Sequence, residues 1–183
     1  MTKRITIFGG SIPRPGEPAY SNAQDLGRRV ADLGWSVLTG GYVGIMEAVS
    51  RGANEAGGHV IGVTCREIEN YRKGRANPWV TEEIKFDSLR DRMYHLVDDC
   101  DAAIALPGGI GTLSEIGAMW STIQTSGSAI RPLVLIGEGW AQTVQTMFSS
   151  LGTYVRPDDQ SLVSFAQDGQ SALQQLQGFF EAS

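Results

Sequence analysis

Along the chain, short runs that are apolar nearly throughout alternate with longer stretches in which apolar residues recur every three or four positions. The runs Arg4–Phe8, Trp35–Thr39, His59–Thr64, Glu83–Phe86, Ala102–Leu106, Pro132–Gly137 and Leu162–Phe165 predict strands. Between them, the helical period predicts helices over Tyr20–Leu33, Gly44–Ala56, Leu89–Asp98 and Thr112–Thr125, from Ala141 to about Leu151, and from about Gln170 to Phe180. Ser21 and Gln24 have the spacing of a capping box at the start of the first helix, and Gly57-Gly58 stops the second. The stretch Cys65–Val80 has no period; it is polar, with Arg66, Arg72, Lys73 and Arg75, and reads as a mobile loop.

This βαβα rhythm predicts one α/β domain over residues 1–183, a doubly wound fold with a mostly parallel sheet and helices on both faces. Strands that are apolar on both sides fit burial on both faces. In such a sheet, ligands bind beyond the carboxyl ends of the strands, where helix N-termini point into a crevice. Three glycine turns fall at such ends: Gly9-Gly10-Ser11, TGGYVGIM (Thr39–Met46) and PGGIGT (Pro107–Thr112). Glycine lets a backbone approach an anion and leaves its N–H groups unobstructed. Together the three turns point to a phosphate or nucleotide. Neither the P-loop pattern nor a G-x-G-x-x-G after the first strand is present, which argues against a P-loop ATPase and an NAD dehydrogenase.

Composition narrows the reading further. With 42% hydrophobic and 19% charged residues the chain is of ordinary globular make-up, and its net charge of −5 argues against nucleic acid as a partner. Two cysteines, Cys65 and Cys100, make no disulfide framework and no zinc spacing. With no signal core and no apolar run of membrane length, the expectation is a cytoplasmic protein without a membrane partner. His59 and His95 match no ligand motif, so no metal is expected, and no cofactor is called for. Pyridoxal phosphate chemistry needs a lysine in a pocket; Lys3, Lys73 and Lys85 lie at the N-terminus, in the polar stretch and in a short strand.

The candidate chemistry centres on Glu115. Thr112-Leu113-Ser114-Glu115 is a T-x-x-E capping box, and local sequence alone favours a cap over a catalytic carboxylate. Thr112 itself reads as an N-cap or a phosphate contact. Arg92 lies beside the apolar stripe of its helix, where its stem can pack while its head binds an anion. Arg14 and Arg75 lie in loops, and nothing local marks them. Met93-Tyr94 and Met119-Trp120 place large apolar side chains near the proposed site, for the core or for a partner subunit.

PGGIGTLSE resembles the PGGxGTxxE signature of the Lonely Guy family, the cytokinin riboside 5'-monophosphate phosphoribohydrolases, often mislabelled lysine decarboxylases. The likeness runs over roughly residues 4 to 136 and takes in IFGGS, GGYVGIMEAVSRGANEAGGHVIGV and SLRDRMYHL. Met93 stands where the family usually has lysine, and Ser114 where it has the first of two glutamates. The resemblance implies a Rossmann-like, usually dimeric protein that hydrolyses the N-glycosidic bond of a nucleoside 5'-monophosphate to free base and ribose 5-phosphate. Carried over by position, it implies Arg92 and Glu115 as the catalytic pair. Gly108, Gly109, Gly111 and Thr112 would hold the phosphate, and Ser11, Gly41 and Gly44 would line the nucleotide pocket. Related proteins of the superfamily imply an alternative, a noncatalytic carrier of a nucleotide or of the molybdenum cofactor.

Overall fold

The computed structural model describes residues 2–125 and 131–182. Among the described residues seven strands form one sheet: β1 (Arg4–Phe8), β2 (Ser36–Thr39), β3 (Val60–Cys65), β4 (Glu82–Phe86), β5 (Ala102–Ala105), β6 (Leu133–Ile136) and β7 (Val163–Ala166). Their order is β4-β3-β2-β1-β5-β6-β7, and every pair is parallel. From β1 the chain winds outward to β4, then returns to the other side of β1 with β5. The order therefore reverses between β1 and β5, where Ile5 pairs with Val37 on one side and Ala102 on the other. At such a switch point the flanking connections diverge to opposite faces and leave a crevice at the carboxyl ends of the strands.

The helices are α1 (Pro18–Asp32), α2 (Ile45–Glu55), α3 (Arg66–Arg72), α4 (Leu89–Asp98), α5 (Ile110–Thr125), α6 (Glu138–Leu151), α7 (Pro157–Gln160) and α8 (Gly169–Ala182). Alternation along the strands divides the core into two layers. Ile5, Ile7, Val37, Ala102 and Ile104 meet α1, α2 and α8; Phe8, Leu38, Ala103 and Ala105 meet α4, α5 and α6. The inner strands β2, β3, β5 and β6 are buried along their whole length and β1 from Ile5 onward, whereas the edge strand β4 is exposed at Glu82, Glu83 and Lys85. Among the described residues no helix is long and apolar enough to cross a membrane.

The elements differ from the sequence expectation in a few places, each for a physical reason. Part of Cys65–Val80 is the helix α3, not a loop. None of its residues is buried, so it has no apolar face for periodicity to reveal. Polar links hold it instead: Arg66 to Asp87 at 2.9 Å, Lys85 to Glu69 at 2.9 Å, and the Leu89 amide to Glu67 at 2.7 Å. Helix α1 begins at Pro18, whose fixed φ suits a first helical position, so Ser21 and Gln24 lie inside the helix and form no capping box. Helix α5 begins at Ile110, two residues before Thr112. Helix α7 and a 3-10 turn at Gly152–Tyr154 were not expected at all. Met119 is fully buried in the core and is not left for a partner subunit, whereas half-buried Trp120 packs edge-on against Phe148 and donates to the Asp159 carbonyl at 2.8 Å.

The closest helix pair is α1 and α2, whose backbones approach at glycines. A Cβ on Gly27 would lie 2.1 Å from the Val49 carbonyl oxygen, and one on Gly52 would lie 1.8 Å from that of Gln24. Gly27→Ala and Gly52→Ala should each destabilise the fold by about 1–3 kcal/mol, read from urea denaturation, because the obstacle is backbone and cannot rotate away. Gly178→Ala, with open space around its added methyl, should lose no stability in the same assay.

Candidate active site

All three glycine turns meet at the switch point. The Gly10 amide donates to the Pro107 carbonyl at 3.1 Å, and the Ile45 amide donates to the Gly10 carbonyl at 2.9 Å. Gly44, at φ +75°, is the N-cap of α2, and a Cβ there would lie 2.6 Å from the Ser11 Cα. On Gly108 a Cβ would lie 2.2 Å from the Thr112 hydroxyl. Ser11, Gly44, Gly108 and Thr112 are thus brought together. Gly41 is accounted for by the fold itself: its φ is +74°, and its α-carbon packs on Gly62 and Thr64 of β3.

Gly109 and Gly111 behave differently. Neither has a positive φ, and a Cβ on either would meet nothing within 4 Å. Folding does not require glycine there; the effect is a bare approach to the N-terminus of α5. The first amides of that helix have no intrahelical acceptor. Gly109 offers no side chain to cap them, and no side chain of another described residue does so. Thr112 is 3% exposed, and its hydroxyl takes no hydrogen-bond partner among the described residues.

Arg92 and Glu115 face each other across α4 and α5. Ser88 caps α4 through a 3.1 Å bond from the Asp91 amide, which fixes the helix start and turns Arg92 inward. The Arg92 Nε donates to the Val63 carbonyl at 2.7 Å, its Nη1 lies 3.8 Å from Glu115 Oε1, and its guanidinium sits 5.6 Å from the centre of the Tyr42 ring. The residue is 4% exposed. Glu115 lies five residues beyond Ile110, too far into the helix to bond the N-terminal amides, so the capping reading is wrong once α5 starts at Ile110. Its carboxylate takes no hydrogen bond from a described residue. Burial pushes its pKa up from 4.5 to about 7, against the opposing pull of Arg92. Such a group exchanges a proton near neutral pH.

Several residues that sequence reasoning passed over support this pair. Gly40 has to lack a side chain, because a Cβ would lie 1.8 Å from Arg92 Nη2. The Tyr42 hydroxyl donates to the Cys65 carbonyl at 3.0 Å and accepts from the Cys65 amide at 2.8 Å, which locks the ring beside the guanidinium. Buried Asn77 donates to the Tyr42 carbonyl at 3.0 Å, and its amide donates to the Gly41 carbonyl at 2.8 Å. Asn77 precedes Pro78 and looks like a loop closure; only its burial distinguishes it. A cavity of about 1100 Å³ opens at the opposite end of the sheet among Lys3, Arg4, Asp99 and Asp101. Both of its cations are paired with its own carboxylates, Lys3 with Asp101 and Arg4 with Asp99. Among the described residues no three His, Cys, Asp or Glu side chains stand together as metal ligands.

A doubly wound parallel sheet with glycine turns at its switch point places the chain in the Rossmann-like α/β class. Residues 2–150 match the SLOG cluster4 family, and the chain belongs to that family. It is 29% identical over 185 residues to a cytokinin riboside 5'-monophosphate phosphoribohydrolase of Arabidopsis thaliana, covering 97% of this chain and 78% of the relative. A protein of the same name from Mycobacterium tuberculosis is 35% identical over 133 residues, covering 72% of this chain and 69% of its own. A rice protein named a probable cytokinin riboside 5'-monophosphate phosphoribohydrolase is 34% identical over 115 residues, covering 62% of this chain and 46% of its own length. Among solved structures, the molybdenum cofactor binding protein of Rippkaea orientalis superposes with a TM-score of 0.77 at 26% identity, covering 98% of both chains.

The raised Glu115 pKa has a consequence for stability. Between pH 4.5 and about 7 the folded chain holds a proton that the unfolded chain has released, so stability falls as pH rises through this window. Glu115→Gln removes that titration. Compared with the variant, the wild type should lose about 2–3 kcal/mol between pH near 4 and pH near 8, read from urea midpoints at each pH. Parallel profiles would show that the carboxyl is not buried in this way.

Proposed function

We propose that the chain hydrolyses the N-glycosidic bond of a nucleoside 5'-monophosphate of purine or cytokinin type, releasing the free base and ribose 5-phosphate. The observation that carries this reading is the buried Arg92–Glu115 pair, 3.8 Å apart, beside the uncapped N-terminus of α5. The names of the Arabidopsis and mycobacterial relatives support the substrate class. The phosphate is held by the amides at the start of α5 and the Thr112 hydroxyl, with Gly108, Gly109 and Gly111 letting it approach, and with Ser11 and Gly44 on the facing turns. Arg92 holds a ribose hydroxyl with the N–H groups that its protein contacts leave unused. As the bond between the sugar and the base nitrogen breaks, positive charge develops at the anomeric carbon, and the Glu115 carboxylate offsets it. Glu115 then takes a proton from the water whose hydroxyl adds to that carbon, and gives that proton up to the departing base nitrogen, which leaves the carboxylate as it began. No cofactor takes part.

A second reading, a noncatalytic nucleotide or molybdenum-cofactor carrier, is supported by the likeness to the Rippkaea orientalis protein over nearly the whole chain. One experiment separates the two. Incubation with a panel of nucleoside monophosphates should release ribose 5-phosphate, and Glu115→Gln should cut turnover by about 100-fold or more while nucleotide binding survives. Binding in a fixed ratio with no product from any of the panel would favour the carrier. Turnover untouched by Glu115→Gln would place the reacting carboxylate elsewhere.

We place the chain in the cytoplasm, a reading supported by two free, buried cysteines. We also propose a homodimer. Leu89 and Tyr94 on α4 are 47% and 44% exposed, and Ile110 and Leu113 on the neighbouring α5 are 79% and 45% exposed. These side chains lie next to the candidate site and supply the apolar surface that buried Met119 does not. Light scattering at micromolar concentration should return about twice the monomer mass; a monomer mass would overturn the proposal.

A further inference from the structure

Helix α3 connects two sides of the crevice. Its first half is tied to β4 and α4 by the Arg66–Asp87, Lys85–Glu69 and Leu89–Glu67 contacts. Its last residue, Arg72, reaches the turn after β1, where Nη1 donates to Ser11 Oγ at 3.2 Å. Immediately after it, Lys73 adopts a left-handed φ of +48° and turns the chain back towards Asn77, which is bonded to the Gly41–Tyr42 turn. Both ends of the segment are therefore fixed, and Arg72 is carried over the glycine turns from outside the sheet.

The contact with Ser11 has an unusual charge balance. Arg14 Nη1 donates to the Ser11 carbonyl at 2.8 Å and to the Pro13 carbonyl at 3.2 Å, so two guanidinium groups converge on one serine. Neither is within ion-pair distance of a carboxylate among the described residues, whereas Arg28, Arg29, Arg51, Arg66 and Lys85 all are. Arg72 uses one of its N–H groups on a neutral hydroxyl, a weak acceptor for a cation. The Ser11 hydroxyl, accepting from Arg72, keeps its own O–H without an acceptor among the described residues. Ser11 also lies against the Gly44 α-carbon, and its neighbour Gly10 is bonded to Pro107, so the free O–H and the free guanidinium donors both stand at the meeting point of the turns.

We propose that Arg72 is a phosphate ligand, acting as a pair with Ser11, so that one phosphate oxygen accepts from the serine O–H while the guanidinium donates to the same group. The proposal rests on the nucleotide reading above and adds to it a cation supplied by the strap α3, from outside the glycine turns. The recognised chemistry is a sugar phosphate monoester. Exchanging a hydroxyl for a doubly charged phosphate strengthens every hydrogen bond that Arg72 makes there.

The test is equilibrium binding, which needs no turnover. Calorimetry with ribose 5-phosphate and with ribose is run on the wild type, Arg72→Ala and Arg75→Ala. Arg75 is exposed and three residues further on, so its variant removes the same charge without the contact. Arg72→Ala should weaken ribose 5-phosphate by about 10- to 100-fold, while Arg75→Ala binds it as the wild type does. Wild-type binding of ribose should be far weaker and unmoved by either substitution. Undiminished ribose 5-phosphate binding by Arg72→Ala, equal losses in both variants, or no binding by the wild type would each overturn the assignment. Turnover of nucleoside monophosphates by the wild type is scored separately. Intact binding without product sinks the hydrolase reading and leaves Arg72 in place; product with an unaffected Arg72→Ala does the reverse.

Discussion

An arginine that is 4% exposed imposes conditions on everything around its guanidinium. Its charge is permanent, and burying it without partners would cost several kcal/mol. At Arg92 the partners come from four separate elements: the Val63 carbonyl of β3, the Tyr42 ring in the turn after β2, Met46 on α2 and Glu115 on α5. Each partner is itself constrained. Gly40 must leave room, and Tyr42 must be pinned to the backbone of Cys65. At 3.8 Å the carboxylate is too far for a hydrogen bond with Arg92, so the two groups attract without saturating each other. A carboxylate bound tightly to its arginine would sit at low pKa and have little basicity left. The longer separation, together with burial, leaves it responsive near neutrality.

Behind that pair lies a layer of buried polar groups that fixes the turn after β2. Ser50 on α2 donates to the Met46 carbonyl at 2.7 Å and lies within 3.5 Å of Thr39, whose hydroxyl accepts from the Gly41 amide at 3.0 Å. Asn77 joins Ser50 to the Tyr42 carbonyl. A glycine-rich turn left to itself would be flexible; here buried side chains hold its backbone, so its geometry is set before any ligand arrives.

Much of this was legible in the chain. Apolar runs such as RITIF and AAIAL locate the strands of a sheet buried on both faces, and the three glycine turns mark its carboxyl ends. Arg92 and Glu115 were found through a motif resemblance, since the T-x-x-E spacing by itself points to a cap. What decides between cap and base is where α5 begins, and the glycines at its start obscure that boundary. Helix α3 stayed hidden because it buries nothing, and periodicity reports burial. Asn77, Gly40 and Arg72 owe their places to contacts with residues far away in sequence, to which no local pattern is sensitive.

The edge of the sheet at β4 also bears on how copies of this chain can meet. An edge strand offers unpaired backbone groups to any passing strand, and proteins guard it with charge. Strand β4 carries Glu82, Glu83 and Lys85 on its five residues, each exposed and engaged with a charged or ionisable neighbour: His59 for Glu82, Lys85 for Glu83, and both Glu69 and Glu83 for Lys85. Adding a strand there would strip water from those ions and break their pairings. The sheet is thereby closed to growth along β4, and self-association is steered away from that edge towards the helix faces, which keeps a concentrated population of this protein from polymerising through it.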